Sequence, residues 1–265
     1  MGKEVLIGAV TSERHEHLLK DYVDMVDSFT YPHSLLLVDT TCGTTRYYNK
    51  LKKMGLDVLR YDWKPEERHC WEMMVDSKNM LRDKFLENGY DFYFSLDTDE
   101  FLPENALTKL VEHDKDNVGY PTPMWHGVPA VFSEGGYIQN KKGGFTLAHY
   151  TWEELFTLSR NQKTPLVKVH SVGVGCLLSK KKVFEKFIWA TPHFPMLAED
   201  TIFYINVDKF GFETYVDMSI VPLHLCVGWT GVPTWDSMHQ RKMQVMSLLQ
   251  NEDDNSRPEQ VEYFG

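Results

Sequence analysis

Apolar residues in this chain come in short runs parted by polar stretches, and the spacing within each run predicts an element. EVLIGAV (4–10) is compact, ends at Thr11 and Ser12, and predicts a buried strand. Leu18, Leu19, Tyr22, Val23, Val26 and Phe29 then recur at helical spacing. SLLLVD (34–39) predicts a second strand, and LDVLRYD (56–62), preceded by the helix-stop signal Gly55, a third. Trp71, Met74, Val75, Leu81 and Phe85 mark a helix ended by Asn88-Gly89, and DFYFSL (91–96) a fourth strand. This β-α-β-α order predicts a mostly parallel sheet with helices on both faces.

The second half is less regular. Residues 121 to 165 mix Pro121, Pro123, Pro129, Gly135-Gly136 and Lys141-Lys142-Gly143-Gly144 with many aromatics, which predicts a long excursion whose loops could shape a pocket. Order returns with VGCLLS (174–179), a helix near 199–210, and SIVPLHL (219–225). A last helix is expected over about 234–250, where Trp235, Met238, Lys242, Val245 and Leu249 repeat at steps of three and four. The chain thus divides into 1–120, a second half of the same domain over 121–250, and a flexible tail over 251–265.

Polar residues follow the apolar runs in a consistent way. Thr11 and Ser12 follow the first strand, Asp39 ends the second, Asp62 the third, and Asp97 follows the fourth. Open α/β sheets bind ligands at the carboxyl ends of their strands, so these ends suggest one site assembled from distant parts of the chain. Asp and Thr also favour strand-to-turn junctions for local reasons, which covers Asp62 but strains at Asp97, Asp99 and Glu100 in FSLDTDEFLP (94–103). Two carboxylates at i and i+2 on an extended turn can hold a hard divalent cation, and Mg²⁺ or Mn²⁺ commonly shares such ligands with substrate phosphates.

Composition narrows the partners. A chain of 265 residues, 42% hydrophobic and 13% aromatic, can bury a sizeable core. Its formal net charge of -10 argues against general affinity for nucleic acid or anionic membrane, so a phosphorylated ligand would need a local device such as a metal ion. Cys42, Cys70, Cys176 and Cys226 lie far apart without a CxxC pair, which speaks against a zinc site or disulfide framework. MGKEVLIGAV has too short an apolar run for a signal peptide, and no stretch approaches the roughly 20 apolar residues of a membrane span. The expectation is a soluble, cytoplasmic protein with no nucleic-acid partner and no transmembrane segment.

YDFYFSLDTDEFLPENALTKLVEH (90–113) resembles the DxD segment of GT-A-fold glycosyltransferases, family 2 in particular: the motif ends a strand, a proline follows, and a short helix comes next. VGCLLSKKKVFEKF (174–187) and LAEDTIFYINVDKFGFETYVDMSIVPLHL (197–225) resemble their second half, and SLLLVDTTCGTT (34–45) their second nucleotide-binding strand. The resemblance covers about 1–120 and 170–225. It has departures. VTSERHEHL (10–18) lacks the proline and tyrosine common in that family, Thr40 follows Asp39 where a paired aspartate is frequent, and Lys78-Asn79 stands where an Arg-Asn pair often occurs. The Gln-x-x-Arg-Trp motif of polymerising members is absent, which favours single addition.

The resemblance implies an α/β, Rossmann-like GT-A fold: a mostly parallel central sheet flanked by helices, one domain with a C-terminal helix. Residues 1–120 would be the nucleotide-binding half ending in the DxD motif, and 121–250 the acceptor-binding and catalytic half. The implied reaction is metal-dependent transfer of one sugar, with inversion, from a nucleotide-diphosphate sugar to a glycan or other hydroxyl acceptor. UDP is favoured, with GDP and dTDP open. Thr11, Ser12, Asp39, Lys78 and Asp97 would contact the nucleotide, and Asp97, Asp99 and His224 would hold Mn²⁺ or Mg²⁺. Asp200 would be the general base, with Trp125, Glu199 and Trp229 facing the acceptor. Two simpler readings compete: His224 as a satisfied strand histidine, and Glu199-Asp200 as a helix cap. His15 and His17 read as helix surface.

Three other functions fit parts of the pattern. A sugar-nucleotide nucleotidyltransferase would want a Gly-rich basic loop after the first strand, and VTSERHEHL has no glycine. A haloacid dehalogenase-like phosphatase would want Thr or Val two places after the second aspartate, where Phe101 stands. A non-catalytic carbohydrate- or nucleotide-binding module has no need of Asp97, Asp99 and Asp200 together.

Overall fold

The structure, a computed structural model, describes residues 4–64, 70–124, 127–139, 145–190, 199–225 and 262–263. The early apolar runs become β1 (Val5–Thr11), β2 (His33–Asp39), β3 (Val58–Arg60) and β4 (Phe92–Leu96), with α1 (Leu19–Ser28), α2 (Arg46–Lys53) and α3 (Cys70–Asn88) between them. After β4 come β5 (Glu100–Phe101), α4 (Ala106–Glu112), β6 (Asn117–Gly119), β7 (Val131–Gln139), β8 (Phe145–His149) and α5 (Trp152–Gln162). The chain continues through β9 (Leu166–Val169), β10 (Ser171–Val172), β11 (Cys176–Lys180), α6 (Lys181–Lys186) and α7 (Glu199–Lys209). It ends in β12 (Thr214–Asp217), β13 (Ile220–Val221), β14 (Leu223–His224) and β15 (Glu262–Tyr263).

The central sheet has eight strands in the order β3-β2-β1-β4-β11-β6-β12-β9. The pairings β3–β2, β2–β1, β1–β4 and β6–β12 are parallel, and β4–β11, β11–β6 and β12–β9 antiparallel. Side chains of β1 alternate between two apolar clusters. Val5, Ile7 and Ala9 pack with Tyr22 of α1, Leu51 of α2 and Leu110 of α4, whereas Leu6 joins Phe85 of α3, Leu155 of α5 and Phe203 of α7. That alternation is the two-residue period of a strand, and it explains why β1 is apolar throughout: helices cover both faces. Within β1, Gly8 admits the Tyr93 ring of β4, into which a Cβ would project.

Several elements differ from the sequence expectation. The excursion over 121–165 carries regular structure of its own: β7 and β8 join β10 in a separate three-stranded antiparallel sheet, and α5 packs on the core. Helix α5 opens with a capping box in which the Thr151 hydroxyl accepts from the Glu154 amide and the Glu154 carboxylate accepts from the Thr151 amide. SIVPLHL is two strands, not one, because Pro222 has no N–H for a ladder. β13 pairs with β15, and β14 with β5. The third strand is only Val58–Arg60. Trp125, Trp229, Lys141-Lys142, the helix expected over 234–250 and the tail apart from 262–263 lie outside the described residues. No helix among the described residues is long and apolar enough to cross a membrane.

Candidate active site

The chain leaves β1 toward β2 and β3 on one side and returns to β4 on the other, so a crevice opens above the carboxyl ends of β1, β2 and β4. Thr11 and Asp39 are register partners at two of those ends. Thr11 Oγ1 lies 3.1 Å from the Tyr47 hydroxyl, and its carbonyl accepts from the Thr40 amide at 2.9 Å. Asp39 is fully buried. Its Oδ1 accepts from the Thr41 amide at 2.8 Å, while Oδ2 has no hydrogen-bond partner and stands 3.7 Å from Arg60 Nη1. Ser12 precedes the 3₁₀ turn Glu13–His15 and makes no side-chain cap.

The turn after β4 is tied down on three sides. The Asp97 amide donates to the Gly175 carbonyl at 2.7 Å, the Leu225 amide to the Asp99 carbonyl at 2.8 Å, and Thr98 Oγ1 lies 3.0 Å from His15 Nδ1. Pairing of β5 with β14 sets His224 opposite Glu100 and so brings an imidazole from late in the chain to the DxD turn. His224 Nδ1 donates to the Pro123 carbonyl at 2.8 Å, and Nε2 faces Asp99 Oδ2 at 3.6 Å. Gly175 is bare where it must be: a Cβ there would come 2.5 Å from Asp97 Oδ2 and 3.1 Å from Glu100 Oε1.

Crowded carboxylates respond unequally to this setting. Burial, with added repulsion from Asp99, pushes Asp97 up to about 6 against the pull of Lys78. Burial, with Asp97 and Asp99 beside it, pushes Glu100 up to about 8, although His224 opposes the rise. Burial would raise Asp99 too, but His224 and His15 hold it below the ordinary carboxylate range.

The other half of the site starts at α7. Lys78 of α3 donates to Glu199 Oε1 at 2.8 Å and to Asp200 Oδ1 at 3.0 Å. Burial raises Asp200, Lys78 opposes that, and a hydrogen bond from the Val174 backbone opposes it as well. Residues 173–175, between β10 and β11, therefore touch both halves: Val174 bonds Asp200 and Gly175 bonds Asp97. Trp189 lies under Lys78, with Nζ 4.6 Å from its ring centroid, and reciprocal 2.9 Å bonds with the Asn79 amide fix its backbone.

Of the residues singled out in the sequence, Asp99 and His224 come within 3.6 Å of each other, and Asp97 lies close enough to feel the charges of Asp99, His224 and Asp200. Thr11, Ser12 and Asp39 sit at neighbouring strand ends. Lys78 and Glu199 face each other. Trp125 and Trp229 lie outside the described residues. His15 is not helix surface but turns to Thr98, and Glu100 is a buried member of the cluster. The signal for His15 was its place in the loop just after β1.

Among the described residues no group of three His, Cys, Asp or Glu side chains is gathered to hold a metal ion. The Asp99–His224 pair nevertheless suits one. Carboxylate and imidazole are acceptable to Mn²⁺, and donation of Nδ1–H to a backbone carbonyl is the usual way a ligating histidine is oriented.

Mannosyltransferase PcManGT from Pyrobaculum calidifontis, in complex with GDP-Man and Mn²⁺, is similar to this chain with a TM-score of 0.52 and 13% identity, covering 96% of this chain and 66% of that one. S. aureus TarS 1-349 in complex with UDP gives 0.51 and 11%, covering 96% and 68%. S. aureus TarS gives 0.50 and 12%, with 96% of this chain matched to 41% of that one, so this chain spans less than half of TarS. No protein-family profile matches the sequence, and no curated protein matches it significantly. At such identities the likeness shows the fold: mixed α/β with the central sheet of GT-A glycosyltransferases.

Proposed function

We propose that this chain transfers one sugar from a nucleotide-diphosphate sugar, a UDP-sugar by preference, to a hydroxyl acceptor such as a glycan, with inversion. The observation that carries the reading is two differently held carboxylates in one site: Asp99 beside His224 in the turn after β4, and Asp200, bound by Lys78 at the start of α7, near enough for its charge to act on Asp97. Asp97, Asp99 and His224 would hold Mn²⁺ or Mg²⁺, and such an ion supplies the positive charge that a leaving diphosphate requires. Asp39 Oδ2, buried and lacking a hydrogen-bond partner, is suited to accept an N–H from the base or a ribose hydroxyl, with Thr11 and Ser12 along the same edge.

Asp200 is the base in this reading. Its side chain is 37% exposed where that of Glu199 is 6%, so it is the carboxylate an acceptor can reach. An attacking hydroxyl gives its proton to Asp200 as its oxygen bonds to the sugar carbon opposite the departing diphosphate, which inverts that carbon. Lys78 and Glu199, expected from the sequence at nucleotide and acceptor, are assigned instead to holding Asp200. Trp125 and Trp229 keep their acceptor-facing assignment on the sequence alone.

The test is thermal unfolding with UDP, GDP, dTDP and their sugars, with Mn²⁺ or EDTA, followed by transfer assays on whichever donor binds. A ligand at 100 times its Kd stabilises by about 2.7 kcal/mol, enough to raise Tm measurably. The expected result is one nucleotide that raises Tm only with metal. No shift with any of them would overturn the reading.

A further inference from the structure

Lys78 leaves α3 to meet two adjacent carboxylates at the start of α7, far along the chain. The two are unequal. Glu199 is buried, with Oε2 making no hydrogen bond, so its contact with Lys78 is a fixed charge contact within the fold. Asp200 is partly open and takes a second hydrogen bond from the Val174 backbone. A lysine paired with Asp200 alone would hold that carboxylate tightly ionised and make it a poor proton acceptor. Sharing the ammonium with Glu199 weakens its hold while keeping the geometry.

We propose that Lys78 is a positioning residue for the base, and that Glu199 is the buried counter-charge that keeps Asp200 both fixed and basic. This rests on the transfer reaction above with Asp200 as its base. The groups facing Asp200 are Lys78 from α3, Val174 from the β10–β11 loop, Asp97 from the end of β4, and Glu199 and Tyr204 from its own helix. Lys78 favours the ionised carboxylate and Glu199 disfavours it. The two residues thus act on the base in opposite directions.

The experiment is the pH dependence of kcat/KM in Lys78→Met, Glu199→Gln and Asp200→Asn, with nucleotide affinity measured in Mn²⁺. Lys78→Met should move the acidic limb up by about one pH unit and lower kcat by about tenfold or more, because a carboxylate without its donor is both harder to ionise and loose. Glu199→Gln should move the same limb down, because the ammonium then serves Asp200 alone. Nucleotide affinity should stay within about threefold of wild type in Glu199→Gln, whereas Lys78→Met should also weaken it, because Lys78 helps to keep Asp97 ionised. A purely structural role would change Tm without opposed limbs. If Lys78→Met does not fold, the isosteric Glu199→Gln decides by the direction of its limb. Limbs that superpose on wild type in an active Glu199→Gln overturn this proposal and leave sugar transfer standing. Full activity in Asp200→Asn, or a wild-type chain that transfers no sugar, overturns the underlying reading instead.

Discussion

His224 Nε2 lies 3.6 Å from Asp99 Oδ2, and the ring is aimed there by its Nδ1–H bond to the Pro123 carbonyl. The pair is asymmetric: the carboxylate brings charge, and the imidazole brings only a lone pair. Asp99→Ala should therefore abolish metal-dependent nucleotide binding, whereas His224→Ala should weaken it by about 10–100-fold. Calorimetric titration of the preferred nucleotide with Mn²⁺ distinguishes them. Equal affinities for a folded Asp99→Ala and wild type would remove the metal from the reading.

Asp200→Asn keeps the shape of the side chain and its bond to Lys78 but cannot take up a proton in the same way. The expected loss of transfer is about 10²–10⁴-fold, with Tm and nucleotide affinity little changed. Rates measured at saturating donor, beside a melting curve on the same sample, check this. Unchanged transfer would make Asp200 a structural partner of Lys78.

A Cβ at Gly175 would run into the Asp97 carboxyl, 2.5 Å from its Oδ2, with Glu100 Oε1 at 3.1 Å. Gly175→Ala should displace the Asp97 carboxyl at a cost of about 1–3 kcal/mol of stability and weaken metal-dependent nucleotide binding. Wild-type affinity in Gly175→Ala would mean that Asp97 has no part in binding.

These sites were only partly legible in the sequence. β1, β2, β4 and α1 could be read because burial on both faces, or on one helical stripe, leaves an apolar run or a 3.6-residue spacing. The DxD turn was legible because a cluster of acids after an apolar strand is chemically costly. Helix α2 was not, since only Tyr47 and Leu51 in RYYNKLKK are buried, with Tyr48 half-buried beside them. Lys78 reads as a polar position on α3, and its meeting with Glu199 and Asp200 depends on how α3 and α7 pack on one sheet face. Pro222 was the local sign that SIVPLHL breaks in two.

Asp217, at the end of β12, is buried and accepts from His113 Nε2 at 2.8 Å and from the Ser219 amide at 2.8 Å. Burial would raise its carboxyl, but these bonds hold it below the ordinary range. A depressed value in the folded state means that the unfolded chain takes the proton first. The stabilisation is therefore full above the unfolded value near 4 and fades as pH falls through the lower folded one. Asp217→Asn should cost about 1–3 kcal/mol at pH 7, with the gap to wild type narrowing below about pH 4. Urea unfolding at both pH values measures this, and a gap independent of pH would show that the charge is irrelevant.

The ladder between β5 and β14 is two residue pairs long and stands apart from the eight-stranded sheet. Protection against amide exchange follows local opening, and so short a ladder opens far more readily than the β1–β2–β4 centre. The imidazole side of the site is held by two residue pairs, whereas its carboxylate side follows a strand paired along both edges. A ligand gripping both would join them, and the Leu225 amide, which donates to the Asp99 carbonyl at 2.8 Å, would slow its exchange with solvent deuterium on binding while the amides of β1 stay as slow as before.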